Sequence, residues 1–345
     1  MLTQAIGEVA RIVRERAGAQ ELEVQVVGEQ TRQALCYPAL TGKVQFGDRV
    51  LLNTTAQTLA LGTGGYDFVM ANLSTAPTPS AEGERGHIIK GRYLPCQHTV
   101  LTLEEQEQYA DVWERTLDNF PVLVGQLHSQ IAPAAAGLHL SGKTRVAYVM
   151  TDGAALMAGF SRLVGELKDA ELLHAVFTCG QASGGDFETV TLHSALLAAK
   201  HIARCDAAIV CQGPGNAGTG TKYGFSGMEQ AQNLDIVKGL GGQPIAIVRM
   251  SEADARPRHQ GISHHARTSL DMAYSRCLVP VPQGADVSAL PPGHDIREVG
   301  GTQAALEVLT ARNIYVASMG RTPAQDPLFF HAAAAAGLAA TLKQV

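Results

Sequence analysis

The chain has 345 residues, 46% of them apolar and 17% charged, with a formal net charge of −5. That length allows two domains, or one large domain with an appendage, and a sizeable core. No global field recruits nucleic acid or anionic membrane, and no run approaches the ~18 uncharged apolar residues of a membrane helix; with a start at Met1–Arg16 that mixes charges with apolar residues and lacks a signal-peptide core, this predicts a cytoplasmic protein.

The first stretch reads as β. Gly7 to Arg14 and Glu21 to Val27 alternate apolar and polar residues, with a turn at Ala17-Gly18-Ala19, and Gly47-Asp48 leads into Arg49–Asn53. Short strands punctuated by glycine predict a small barrel or sandwich at residues 1–72. Residues 73–120 read as a connecting segment. Within it Ser74–Glu84 is a Pro/Ser/Thr-rich loop, Thr99–Leu103 a short strand, and Glu104–Asn119 an acidic stretch compatible with helix.

From Pro121 to the end, residues 121–345, the pattern becomes that of an α/β ligand-binding domain. Apolar runs at Pro121–Val124, Val146–Met150, Ala175–Thr178, Ala207–Cys211, Pro244–Val248 and Leu278–Val281 alternate with helix-length segments, among them Ala154–Leu167, Val190–Arg204 and Met228–Leu240. Continuous apolar strands separated by helices predict a mostly parallel sheet with helices on both faces, a Rossmann-like three-layer arrangement. The C-terminal part predicts a helix at Thr302–Arg312, a strand at Ile314–Ala317 and an alanine-rich helix at Pro327–Leu342. The six cysteines form no Cys-x-x-Cys pair and read as free thiols in a reducing compartment rather than a zinc knuckle.

Open parallel sheets bind ligands beyond the carboxyl ends of their strands, so the strand ends carry the candidates. After Ala207–Cys211 comes the run Gly213 to Gly227, with six glycines in fifteen residues, three hydroxyls (Thr219, Thr221, Ser226) and Lys222. Gly213, Gly215, Gly218 and Gly220 allow backbone to approach a ligand, and N–H groups at a helix start suit phosphate or carboxylate. The run is neither a Walker A loop nor the plain dinucleotide fingerprint. Its alternative is a long ordered turn whose glycines only supply positive φ.

The segment Asp254–Arg267 holds Arg256, Arg258, His259, His264 and His265. Arginine forks clamp anions and a histidine transfers protons near neutral pH. The three histidines also permit a metal, although their spacing is not that of a helical i, i+4 pair, and a solvated basic loop ahead of a helix starting at Ser263 is the third option. Asp152, after Thr151, is a candidate acid, as are Asp186 and Glu188, which would hold Mg²⁺ or begin the next helix. Cys179 ends a strand as a candidate nucleophile, with no partner assignable by spacing.

The runs Gly213–Gly227 with Met-Glu-Gln230, Arg256-Pro-Arg-His-Gln-Gly-Ile-Ser-His-His265, Leu51–Ala56 with Leu61–Gly65, and Tyr148–Ala155 resemble an uncharacterised bacterial family, domain of unknown function 3866. The resemblance spans nearly the whole chain and implies that these segments belong to one unit. It implies no activity. One departure is Cys179-Gly180-Gln181, where members of the family are expected to carry a Gly-His pair.

Three functions compete. The first is binding of a phosphorylated or nucleotide-like small molecule at the glycine-rich turn, with hydrolase or transferase chemistry by His259, His264, His265 and Asp152. The second is a non-enzymatic RNA- or protein-binding module using the N-terminal β unit. The third is a metal-dependent hydrolase using the 259–265 histidines. An anionic small molecule is the expected partner, nucleic acid and membrane are not, self-association is allowed, and the sequence names no cofactor.

Overall fold

A computed structural model describes residues 2–62, 64–75 and 86–343. The chain divides into two compact units, Met1–Leu101 with Met157–Phe160, and Thr102–Leu156 with Ser161–Val345. The segment 73–120 is thus shared between them, and most of the Ser74–Glu84 loop lies outside the described residues.

In the first unit, strands β1 (Gln4–Arg16), β2 (Ala19–Val26), β3 (Arg32–Cys36), β4 (Arg49–Asn53) and β5 (Asp67–Asn72) close a barrel in the order β1-β2-β3-β5-β4. Gly18 turns β1 into β2 at φ +74°, where a side chain would be strained. Val9, Leu22, Val24, Ala34, Val50 and Leu52 fill the interior. Closure leaves no open sheet edge. Two short helices, α1 (Pro38–Thr41) and α2 (Thr55–Thr58), and the hairpin β6 (Ile88–Lys90) with β7 (His98–Val100) complete this unit. Arg16 donates to the carbonyls of Gly159 and Phe160, holding the returning segment.

The second unit is an eight-stranded parallel sheet. Its strands are β8 (Pro121–Val124), β9 (Val146–Thr151), β10 (Ala175–Thr178), β11 (Phe187–Glu188), β12 (Ala207–Gln212), β13 (Gln243–Ala246), β16 (Leu278–Pro282) and β17 (Asp295–Val299), in the order β11-β10-β9-β12-β8-β13-β16-β17. The ribbon β14 (Met250–Ser251) and β15 (Gly261–Ile262) stands apart. The central strands are buried throughout, as their unbroken apolar runs require. Helices α3 (Ile131–Leu140), α8 (Thr302–Ala311) and α9 (Pro327–Leu338) pack together, as do α5 (Leu192–His201), α6 (Glu229–Gly239) and α7 (His264–Met272). The sheet lies between these two groups, and α4 (Arg162–Asp169) links β9 to β10. Helices α3 and α9 meet at glycines: a methyl group on Gly137 would stand 2.4 Å from the Ala334 carbonyl oxygen.

Three local expectations change. Glu104–Asn119 is not an α-helix but two 3-10 turns, Leu103–Glu105 and Glu107–Glu114, the first fixed by a capping box between Thr102 and Glu105. Ile314–Ala317 is irregular, and the sheet is completed instead by β17, which pairs with β16 along five residues. The helix expected from Ala154 starts at Arg162, where the Ser161 hydroxyl caps the Val164 N–H. Among the described residues no helix is long and apolar enough to cross a membrane.

Candidate functional site

Strand β8 lies between β12 and β13, both of which follow it in sequence. The chain leaves β8 through α3 and later leaves β12 through α6, which belong to opposite helix layers. In doubly wound sheets such a reversal is where a crevice opens beyond the carboxyl ends of the strands and ligands bind.

Buried glutamines knit that edge together. Gln126, just past β8, donates from Nε2 to the Ser269 hydroxyl at 2.8 Å and to the His265 carbonyl at 3.1 Å. Its own carbonyl accepts from Gln212 Nε2 at 2.8 Å. Gln230 bridges the Val124 and Ile247 carbonyls at 2.7 and 3.0 Å. Unpaired, these buried N–H groups would each cost about 1–3 kcal/mol; paired, they fix the relative positions of the strand ends, while Gln126 Oε1 and Gln212 Oε1 have no partner.

The glycine-rich turn is an ordered hairpin. Gly218 bridges to Phe225, and the Thr219 N–H and Ser226 N–H donate to the Gly224 and Ala217 carbonyls. The Thr219 hydroxyl donates to the Gly224 carbonyl at 3.0 Å, the Thr221 hydroxyl accepts from the Gly224 N–H at 3.1 Å, and the Ser226 hydroxyl accepts from the Ala217 N–H at 3.1 Å. The Thr221 hydroxyl also meets the Thr219 hydroxyl at 2.9 Å and the Ser226 hydroxyl donates to Asn216 Oδ1 at 2.5 Å, so these hydroxyls are spent inside the loop and do not form an open phosphate cradle. Gly213 approaches the Ala155 carbonyl so closely that a methyl group would stand 2.5 Å from its oxygen. Gly215 and Gly220 take φ +101° and +83°. Lys222 is exposed, its ammonium 5.0 Å from the Tyr223 ring centroid.

The hairpin is laid against the histidine segment. A methyl group at Gly218 would stand 3.7 Å from His265 Cε1, and one at Gly220 would stand 3.7 Å from Arg258 Nη2. Phe225 stacks on His265. The two segments that the sequence singles out thus form one surface.

His259, His264 and His265 converge, one ring nitrogen of each lying within 4.8 Å of the others. Ser263 caps α7 through the His265 N–H and meets His259 Nδ1 at 2.7 Å. Burial, then the adjacent Arg249 and Arg256, hold His259 down at about 3. Burial and neighbouring His264 hold His265 near the same value, and burial lowers His264 as well. All three rings are neutral at pH 7.

Beside them stands a knot of charge. Asp254, almost fully buried, takes both arms of Arg256 at 2.9 and 2.8 Å and one arm of Arg249 at 3.2 Å, with Arg321 at 3.5 Å. The Arg256 bond, largest among the causes, holds the Asp254 carboxyl well below the usual carboxylate range. Burial, then repulsion from Arg256, pushes Arg249 down to about 10. Arg321 is also tied to Asp326 at 3.0 Å. Arg258 is exposed and makes no ion pair among the described residues. Three arginines share two carboxylates, so the cluster with Arg258 carries excess positive charge. Its buried nitrogens include His259 Nε2, His264 Nε2 and Arg249 Nε, none with a hydrogen-bond partner, while Arg321 Nη2 has only the 3.5 Å ion pair to Asp254.

The carboxylates divide differently. Asp152 accepts from the Gln181 N–H at 2.8 Å and so anchors the loop after β10. Asp186 takes the Val176 N–H and Lys168, and Glu188 takes the Gly184 N–H and the Thr178 hydroxyl. Both brace the 179–189 loop; they do not cap α5, which Thr191 caps, and among the described residues they belong to no metal-binding group. Cys179 is buried with its thiol donating to the Met150 carbonyl at 3.7 Å, unlike an exposed nucleophile.

Sequence reasoning missed Glu229 and gave His128, which follows the Pro121–Val124 run, no role. Glu229, the first residue of α6, accepts the Thr151 hydroxyl at 2.6 Å, and burial raises it to about 7. His128 links Ser161 at 2.7 Å to the Tyr148 hydroxyl at 3.2 Å, and burial keeps it neutral, at about 4. Position was the available signal: Arg249, Gln212 and Gln126 each follow an apolar run by at most two residues.

The fold and the site define a two-unit protein, a closed β-barrel followed by a doubly wound parallel α/β unit with a histidine–arginine crevice at its switch point. The chain belongs to the family described as protein of unknown function (DUF3866), whose model matches residues 33–337. No curated protein and no solved structure matches it.

Proposed function

We propose that the crevice binds a phosphorylated or nucleotide-like small molecule, in a cytoplasmic protein that acts on it as a hydrolase or transferase. One observation carries the reading: three buried nitrogens, on His259, His264 and Arg249, have no hydrogen-bond partner at a site of excess positive charge. Buried donors left unpaired are costly, and an anion supplies the missing acceptors with charge-assisted bonds. The Gly218–Gly220 tip and Arg258 would cover that anion, and a neutral histidine is placed to accept a proton. The test is thermal shift of the full chain with inorganic phosphate, sugar phosphates and nucleotides. Stabilisation by one of these, weakened in Arg258→Ala, supports the reading; no stabilisation by any anion overturns it.

A second reading is favoured by the convergence of the three histidine rings. Neutral imidazoles with one nitrogen oriented by a hydroxyl are suited to hold a divalent metal, which would make the protein a metal-dependent hydrolase. The surrounding arginines oppose a cation, which ranks this reading second. Elemental analysis of untagged protein decides it: a stoichiometric metal lost in His259→Ala supports it, and metal-free protein that fails to bind added zinc sinks it.

A further inference from the structure

Gln212 and Glu229 meet across Gly153 in a way neither reading uses. Gln212 is fully buried, and its Nε2 is committed to the Gln126 carbonyl. That bond fixes which way the amide points, so the atom left over is Oε1, buried and without a partner. Glu229 uses Oε1 to accept the Thr151 hydroxyl, and no cation pairs with it among the described residues. A methyl group on Gly153 would stand 2.6 Å from Gln212 Oε1 and 2.9 Å from Glu229 Oε2. Two acceptor oxygens thus converge over a residue with no side chain. Such a pair repels phosphate and calls for a hydrogen-bond donor.

This acceptor pole adjoins the cationic one. Gln126 touches both, accepting from Gln212 at its carbonyl and donating at its amide to the His265 carbonyl. Phe225, stacked on His265, and Glu229 lie on one short stretch of chain. We infer that Gln212 Oε1 and Glu229 Oε2 form a hydroxyl-accepting subsite, so that the ligand is a sugar or polyol phosphate, its phosphate on the histidine–arginine pole and a hydroxyl donating to these two oxygens. The inference rests on the anion reading above.

The experiment compares three probes by calorimetry on the full chain: inorganic phosphate, propyl phosphate and ribose 5-phosphate. The expected result is ribose 5-phosphate binding at least about tenfold tighter than propyl phosphate, the weight of one good hydrogen bond. Glu229→Ala removes that advantage and leaves inorganic phosphate binding unchanged. Gly153→Ala, whose methyl group would stand too close to both oxygens and displace them, gives the same loss and serves as a second variant. Equal binding of ribose 5-phosphate and propyl phosphate overturns the subsite while the anion reading stands, as does a Glu229→Ala effect equal for all three probes. Failure of all three to bind overturns the anion reading and the subsite with it.

Discussion

Phe225 lies flat on His265, the ring centroids 3.8 Å apart and the planes 9° apart. The contact fastens the glycine-rich hairpin to the histidine segment and shields one imidazole from water. Phe225 is buried, so Phe225→Ala should cost about 3 kcal/mol by urea denaturation. Phe225→Leu keeps apolar volume and should cost about 1 kcal/mol. Equal costs for the two would mean that the stack, which both variants lose, carries the whole contribution and retained apolar volume none.

Glu229 gives the site a pH signature. Its carboxyl titrates at about 7 when folded, against an ordinary value of 4.5. The folded state therefore holds a proton that the unfolded state has released between these values. Stability from this group is present below pH 4.5 and is lost as pH rises to 7. Glu229→Gln, neutral throughout, should match the parent near pH 4.5 and exceed it by about 2–3 kcal/mol at pH 8, a rise of about 5 °C in Tm. A variant with the same advantage at both pH values would remove titration as the cause.

The buried histidines act in the opposite direction. His128 sits at about 4, and His259 and His265 at about 3, below the ordinary 6.5. Their contribution is whole above pH 6.5 and lost as pH falls towards the folded values. At pH 4.5 each should cost about 2–3 kcal/mol, together comparable to the whole stability of a domain. Circular dichroism with urea at successive pH values measures it; a flat profile between pH 6.5 and 4.5 refutes it.

Two glycines in unlike settings test the packing. At Gly137 a methyl group meets the Ala334 carbonyl at 2.4 Å, whereas at Gly165, within α4, it meets nothing within 4 Å. Gly137→Ala should destabilise by about 2–4 kcal/mol because backbone must move. Gly165→Ala should stabilise by about 0.5–1 kcal/mol through helix propensity. Paired thermal melts read both, and stabilisation by Gly137→Ala would mean that α3 and α9 separate readily.

The parallel sheet was legible because its strands are unbroken apolar runs: Val146–Met150 and Ala207–Cys211 lie almost wholly within β9 and β12. Weaker patterns misled. Asp295–Val299 is half polar, which hides an edge strand, whereas Ile314–Ala317 is apolar yet pairs with no strand. Of the barrel, β1, β2 and β4 showed alternation, but Arg32–Cys36 and Asp67–Asn72 did not stand out, although they carry the parallel pairing that closes it. At the site, residue type revealed the histidines and arginines. It could not reveal that the hydroxyls of Thr219, Thr221 and Ser226 are spent within their own hairpin, since those bonds depend on how the loop folds back. Nor could it single out Glu229, an ordinary acid in a helix's first turn until burial raises its pKa.

The place of β8 has a consequence for the order of assembly. It is the first strand of its sheet to be synthesised, yet both its neighbours, β12 and β13, arrive only after β9, β10 and β11. A slot must stay open between β8 and β9 until residues 207–212 enter it. Such remote pairing is slow to nucleate and leaves apolar strand surface uncovered meanwhile. The barrel's five strands, by contrast, are all present by residue 72, so the barrel can close while the sheet still lacks its centre.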